Sequence, residues 1–535
     1  MALFIVERVG TGFTVRSGEN TAEAARYAGI AQDAATASAA SANYYSTIAA
    51  GVAATAVGGA FSSAEGGALK LYERTGTSPF YAEIGELDVV LRADLASTAT
   101  GKGAALVGFS HSETYSPGTA GRKMQQSVNP TDSPYFATVN GATNDRDAFQ
   151  AAINRAKAEG VPFEWHGTAR IEGPLDIGEV EIRGASQGQS IIKAVGNFDL
   201  FRINGSWTKM SNFRVDNTLK TGGDDIVFDL PTSGGSVEHD FEDLFFDGSR
   251  GCVREIYTSG AATQYRTYFK RVKWTKVSDN GIRHTRGFAF IYYDHECLVE
   301  KLGGSNPNFS AFKYDGTGLP VGAGGLHLGL TVVGDQGHGS ADWRDIGFEI
   351  EDASAIYLLP LARAENFKGR GLKLLRCNGV HVSAVGVYHC GGLEDAGAGL
   401  ANASVLIKDS TYVYGTAGLT INGRRSLGGG AANSHGLLLS GGDNILMSMI
   451  NSDDNTGSGI MQDGSNVCII GMANARLNGR YGIEGSSASG VFRVKSGLTA
   501  GNALNNVNLG NSGQITKGLT VNSGAEFEFT GPVEG

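Results

Sequence analysis

The stretch SGIMQDGSNVCIIG, residues 458–471, holds two short apolar runs, Ile460-Met461 and Val467-Cys468-Ile469-Ile470. Asp463-Gly464-Ser465-Asn466 parts them. Neither run is long enough for a helix. The spacer is turn chemistry, since glycine accepts positive φ and Asp, Ser and Asn bond to their own backbone. The same phrase stands upstream in HGLLLSGGDNILMSM (435–449) and downstream in YGIEGSSASGVFRV (481–494). Gly436, Gly459 and Gly482 open the three phrases at intervals of 23 residues, and the second strands begin near Asn444, Asn466 and Ser489, at intervals of 22 and 23. A repeat of this length marks a solenoid, whose unit buries its apolar face only by stacking on its neighbours. With two or three short strands per unit and no helical period, the predicted unit is one coil of a parallel β-helix. Leu437, Ile460 and Ile469 are expected to face its core, and its hand is expected to be right-handed, as parallel crossovers prefer.

Composition agrees. Glycine supplies 79 of 535 residues, about twice its usual share of roughly 7%, without the Gly-X-Y period of collagen. A 41% hydrophobic content argues against disorder. The net charge of −10 gives nucleic acid no bulk attraction, while a local basic groove for a polyanionic sugar stays open. Cys252, Cys297, Cys377, Cys390 and Cys468 lie scattered in apolar runs without CxxC spacing. They read as buried small hydrophobes in a chain made in a reducing cytoplasm. The ten histidines show neither HxH nor HExxH spacing, so neither a catalytic metal nor a cofactor is expected. The apolar start MALFIVERVG is too short for a signal peptide. Residues 48–61 are too short to span a membrane, so no membrane insertion is expected.

The chain divides into four predicted regions. Residues 1–66 open with a strand-like piece and continue into an Ala-rich segment (21–57), where Asn20 and Glu23 form a capping box. A helix with so little bulk is marginal alone and makes sense packed on copies of itself, so a parallel homotrimer is expected; a low-complexity linker is the alternative. Residues 67–140 read as a β-containing connector, with patches ALKLYERTG and ELDVVLRADLAS. Residues 141–167 read as a capping helix: Asp145 starts it, Phe149, Ile153 and Ala156 share a face, and Gly160 ends it. Such a helix covers the open end of a solenoid. Residues 168–535 are strand and turn throughout, with insertions breaking the period between 255 and 350.

Three passages resemble bacteriophage tailspike proteins built on a pectate-lyase-like right-handed β-helix. They are the Ala-rich segment, LRADLASTATGKGAALVGF (91–109), and GATNDRDAFQAAINRAKAEG (141–160). The usual capping motif carries Gly-Asp-Gly before paired aspartates, where this chain has Gly-Ala-Thr-Asn-Asp. The resemblance implies a homotrimer on a virion tail, attached through its N-terminus to other tail or baseplate proteins. It also implies binding, and often cleavage, of a bacterial surface polysaccharide. Such spikes share no catalytic signature, so the resemblance assigns no site residue.

Chemistry must supply the candidates. Glycoside hydrolysis uses two carboxylates across a groove, and residues i and i+2 of a strand share a face. DIGFEIEDAS turns Phe348 and Ile350 inward and leaves Glu349 and Glu351 outward as the favoured pair. YYDHECLVE puts Asp294 with Glu296, opposite Tyr293 and His295. Glu365 follows Glu349 by 16 residues and is a further candidate carboxylate, to be sought in the next sheet. Any of these carboxylates can equally be a solvated strand residue. The Gly-rich loop GDQGHGSADWRDIG (334–347) gathers His338, Trp343 and Arg344: a flat face for a sugar ring and a guanidinium for an acidic substituent. QYRTYFKRVKWTK (264–276) sets Arg266, Tyr268 and Lys270 on one strand face, a groove for anionic sugar or a solvated strand. His295 and His338 with neighbouring arginines keep a lyase open. The site is expected among the irregular coils, roughly 255–400, because departures from regularity are where function intrudes. Endo-acting depolymerase, non-enzymatic adhesin of the same fold and structural virion component are the three functional classes to separate.

Overall fold

The structure, a computed structural model, describes residues 5–9, 12–16, 44–65, 68–87, 126–132, 134–229, 237–256, 265–285, 289–302, 306, 308–317, 325–335, 345–391, 402–423, 433–464, 467–485, 491–504, 507–509, 513–515, 519–521 and 528–529. The chain forms two compact units, residues 1–110 and 111–535.

In the first unit Ile5–Val9 and Gly12–Arg16 make an antiparallel hairpin. A short helix, Ile48–Ala54, is capped by Thr47, whose hydroxyl accepts from Ala50 N–H at 3.2 Å. It leads into the strands Ala60–Glu65, Ala68–Arg74 and Tyr81–Leu87, paired antiparallel. Phe61 fills the space beside Gly51, where a side chain at that position would collide with its ring. The division expected at residue 66 therefore falls inside one sheet. The capping box at Asn20 and most of the Ala-rich segment lie outside the described residues, as does 91–109.

The second unit is a parallel β-solenoid. Among the described residues, one sheet of 14 strands runs from Leu175–Ile177 to Glu528–Phe529, every pairing parallel. A second sheet takes the other two sides of each coil, either as two short strands or as one long bent strand such as Trp207–Gly222 or Asp443–Asp453. The coils begin a little before residue 168, since Phe163–Trp165 already pairs with Val180–Gly184.

The repeat read in the sequence is the coil. Leu437, Ile460 and Ile483 stand opposite one another in the first sheet, all fully buried. Gly436, Gly459 and Gly482 stack directly before them: Leu437 N–H donates to Gly459 O, and Ile460 N–H to Gly482 O, both at 2.9 Å. A Cβ on Gly459 would lie 2.8 Å from Gly482 O, closer than packing allows. Ile469 corrects the expectation. In Val467–Arg476 it is Cys468 and Ile470 that face the core, so strand alternation turns Ile469 outward.

Corners recur in register. Asp352, Arg376 and Asp409 hold φ of 51°, 53° and 49°, followed by Gly441 and Gly464 at 66° and 78°. Each of the first four donates its N–H to the next coil at 2.9–3.0 Å. At another corner the asparagines form a ladder. Asn455 Nδ2 donates to Asn478 Oδ1 at 2.9 Å, and Asn478 Nδ2 to Asn502 Oδ1 at 3.0 Å, across separations of 23 and 24 residues.

The helix Arg146–Glu159 packs on the first strands of the solenoid, with Phe149, Ala152, Ile153 and Ala156 buried and Gly160 left-handed at φ 66°. Phe149 meets Phe163 and Trp165 edge-on at 5.2 and 5.8 Å. Asp145 occupies the N-cap, but its carboxylate makes no bond to the helix. It accepts instead from Thr138 N–H (2.7 Å) and Val139 N–H (3.1 Å), tying down the preceding segment.

Candidate functional site

In the first sheet Ile346–Glu351 lies between Ser310–Asp315 and Leu372–Leu375. Phe348 and Ile350 are buried in the core, so Glu349 and Glu351 face outward, as their alternation requires. They are not solvated freely. Lys373 Nζ donates to Glu349 Oε1 at 3.1 Å and to Glu351 Oε1 at 2.9 Å. Ser310 Oγ donates to Glu349 Oε2 at 2.6 Å, and Lys313 Nζ lies 3.5 Å from that oxygen. Arg376 grips Asp352 through two bonds of 2.7 and 2.6 Å and reaches Glu351 at 3.7 Å.

Burial pushes the Glu349 carboxyl pKa up, but the Lys373 and Lys313 charges and the Ser310 bond outweigh it, and the pKa ends below its ordinary value. Asp352 is lowered too, chiefly by its bonds from Arg376. A hydrolytic proton donor needs the opposite shift. Glu349 is therefore suited to act as base, nucleophile or charge stabiliser rather than as acid.

The second expected pair is differently built. The strand Ala289–Tyr293 ends at Tyr293, and the chain turns a corner there, with Cys297 N–H donating to Asp294 O at 3.2 Å. Asp294 accepts from Glu296 N–H (3.0 Å) and from Arg271 N–H (3.2 Å), so its carboxylate braces the turn. His295 and Glu296 are exposed, but no strand aligns them. Tyr293 is a core residue that no surface sugar reaches. It stacks on Phe269 at 4.4 Å and 3°, and its hydroxyl meets His284 Nε2 at 2.9 Å. His284 Nδ1 in turn faces Glu255 at 2.9 Å inside the solenoid.

His338, Trp343 and Arg344 lie outside the described residues. At the base of their loop, Lys301 Nζ and Asp345 Oδ2 form a buried ion pair at 2.8 Å, both side chains at most 1% exposed. Burial raises the Asp345 pKa and lowers that of Lys301. Its inaccessibility makes this pair an anchor. Glu365 stands in the second sheet and is paired with Arg363 at 2.7 Å, so it does not join Glu349.

Arg266, Tyr268 and Lys270 share an outward face, as expected. Lys270 pairs with Asp240 at 3.3 Å and lies 5.7 Å from the Tyr268 ring centre. Tyr268 opens a column that sequence reading missed. Tyr292, His327, Tyr357, His381 and Tyr414 follow it in register on successive coils of the second sheet. His327 stacks on Tyr357 at 4.5 Å and 17°, Tyr357 on His381 at 4.8 Å and 4°, and His381 meets Tyr414 at 5.5 Å. The column continues outward through Leu446 and Ile469. Its sequence signal, one ring per coil, is hidden because insertions make the coil lengths unequal. Lys313 and Lys373 were missed for the same reason: each lies opposite Glu349 only through pairing with another coil.

The five cysteines are all buried and free. Burial raises the thiol pKa of Cys377 and Cys468 to about 12 each, so neither is a nucleophile. Among the described residues no group of three or more His, Cys, Asp or Glu is placed to hold a metal ion.

No family model matches the chain. In an alignment 193 residues long that covers 33% of this chain, it is 26% identical to the tail spike protein of Salmonella phage epsilon15, and the match spans 18% of that relative. Among solved structures it is similar to the Dettilon tailspike protein (gp208), with 12% identity, TM-score 0.41, and coverage of 80% of this chain and 72% of that one. It is also similar to the A-module of the Azotobacter vinelandii mannuronan C-5 epimerase AlgE6, with 14% identity, TM-score 0.37, and coverage of 74% and 100%.

Proposed function

We propose that this chain is a phage tailspike: a right-handed solenoid that binds, and cleaves, a polysaccharide of the bacterial surface during adsorption. The observation that carries the reading is the 193-residue sequence match to a tail spike protein in a chain that folds as a parallel β-solenoid. In this reading the chain works as a parallel homotrimer on a virion tail, held to other tail proteins through its N-terminal region, and meets its glycan along the solenoid flank.

Cleavage is assigned to the outward face of the first sheet, with Glu349 and Glu351 as the reactive carboxylates. Lys373 and Lys313 hold Glu349 ionised, ready to take a proton or to stabilise positive charge developing on a sugar ring. His338, Trp343 and Arg344 are the assigned sugar contacts. One observation favours a second reading, a non-enzymatic adhesin: Lys373 binds both carboxylates at once, as a structural strap does.

A reducing-end assay on purified polysaccharides from a panel of encapsulated strains separates the two. The depolymerase reading expects new reducing ends with wild-type chain and none with Glu349→Gln or Glu351→Gln, while glycan binding persists in both. Binding without new ends for the wild type supports the adhesin, and no binding to any surface polysaccharide removes both.

A further inference from the structure

The ring column of the second sheet serves no purpose in the cluster around Glu349, which lies on the other sheet. Stacking fixes what it can offer. The faces of His327, Tyr357 and His381 are packed on one another and are closed to a ligand. Their edges are left. Along Tyr292, His327, Tyr357, His381 and Tyr414 those edges carry three phenol hydroxyls and two imidazoles, all half-buried. Among the described residues none of these polar groups has a hydrogen-bond partner.

Beside the column, at the neighbouring outward register, Gly325, Ala355 and Gly379 stand between Phe290 and Tyr412. Ala355 and Gly379 leave the Tyr357 and His381 edges uncovered along that side, while Phe290 lies against the His327 ring at 4.7 Å; a Cβ on Gly379 would meet only Ala355 N, at 3.7 Å. From Tyr292 to Ile469 the column bears no Asp, Glu, Lys or Arg. Burial lowers the pKa of His327, favouring its neutral form.

We infer that this column is a hydrogen-bonding track for a single strand of uncharged polysaccharide lying along the solenoid axis, an inference that rests on the tailspike reading. Parallel strands recur about every 4.8 Å, so the track presents one polar edge per coil over a run of coils. A chain of hydroxyl-bearing rings can answer such a series at each step. Between Tyr292 and Ile469 a polyanion would meet no cation on the column, where Lys270 and Arg493 stand only at its two ends, and it would face a chain of net charge −10. A second copy of this protein would have to bury the unpaired hydroxyls, which costs free energy unless each finds a partner. The track ends where the column turns aliphatic, at Leu446 and Ile469.

The test uses the full chain on an array of purified bacterial polysaccharides, neutral and anionic, followed by titration of the bound one. Tyr292→Phe/Tyr357→Phe/Tyr414→Phe keeps every ring and deletes only the hydroxyls. The inference expects a neutral polysaccharide as the ligand and at least about tenfold weaker binding by the triple variant, since each lost hydrogen bond is worth roughly twofold to tenfold. Unchanged affinity overturns the inference while the tailspike reading stands. Binding confined to anionic polysaccharides overturns it as well. A triple variant that keeps its affinity but drops in mass by light scattering makes the column a contact between copies. If the wild type binds nothing on the array, the tailspike reading fails and the track with it. Should the triple variant not fold, the three single Phe variants carry the same expectation, and wild-type affinity in all three overturns it.

Discussion

Lys373 lies one coil beyond Glu349 and donates to its Oε1 at 3.1 Å, with 14% of the lysine side chain and 10% of the glutamate side chain exposed. The same ammonium reaches Glu351, so one cation holds two carboxylates that share a strand face. Removing it leaves both without that compensation on a largely covered surface. Lys373→Met is expected to cost about 2–4 kcal/mol, the range for breaking a mostly buried pair, reduced for the partial exposure. Adding Glu349→Gln should recover part of the loss. Urea unfolding of the three proteins checks this, and equal stability of Lys373→Met and wild type would count against the cluster.

Acid should weaken the solenoid through two buried histidines. Burial among Phe228 and Phe241 lowers the pKa of His239 to about 3, and burial together with the Arg480 and Arg370 charges lowers that of His435 to about 4. In the unfolded chain both titrate near 6.5, so below that pH the unfolded state binds more protons and stability falls. The expected slope is up to about 1.4 kcal/mol per pH unit for each histidine, levelling off below its folded value. Glu349, whose pKa is lowered, adds stability present above about 4.5 and lost as pH falls further. Unfolding midpoints at pH 7, 6 and 5 read the slope. His239→Phe should flatten it, and a flat wild-type profile over that span refutes the account.

Asn478 should be among the least replaceable polar residues of the regular coils. It is fully buried, accepts from both Asn455 N–H (3.1 Å) and Asn455 Nδ2 (2.9 Å), and donates to Ser452 O at 3.1 Å. Asn478→Ala strands several buried groups at once and should cost about 2–4 kcal/mol. The half-buried Asn474, bonded to Asn451 at 2.8 Å, is the comparison, with a cost of about 1 kcal/mol for alanine. Similar costs at the two positions would show that the ladder is decorative.

The Lys301–Asp345 pair should behave as an anchor rather than a reagent. Lys301→Met leaves Asp345 buried without its cation and is expected to destabilise by about 3–5 kcal/mol, whereas Lys301→Met/Asp345→Leu regains most of that. The double variant should still bind the wild-type polysaccharide. Lost binding in a stable double variant would give the pair a role in recognition.

The solenoid was legible from sequence because its cause is local and repeated. A corner at Asp463-Gly464, a glycine at 436, 459 and 482, and an inward Leu437 or Ile460 are each set by a few neighbouring residues, and stacking copies them. The capping helix was legible for the same reason, through Phe149, Ile153 and Gly160. The inward assignment of Ile469 missed because four apolar residues in a row leave the phase of alternation undetermined, and only pairing with the strand Asp443–Asp453 sets it. Asp294 and Glu296 were misread as one strand face because the strand ends at Tyr293, at a corner that the pattern YYDHE does not announce.

What tertiary structure alone decided is which residue of one coil faces which residue of the next. The sequence by itself determined that outward carboxylates stand at 349 and 351. That Lys373 bridges them, that Ser310 and Lys313 hold Glu349, and that Tyr292, His327, Tyr357, His381 and Tyr414 form one column follows from parallel pairing across insertions of unequal length. The physical reason is that the registry between coils is set by buried residues such as Phe348 and Leu372 meeting in the core. The outward residues are carried into place by that packing, and nothing in their own spacing records it.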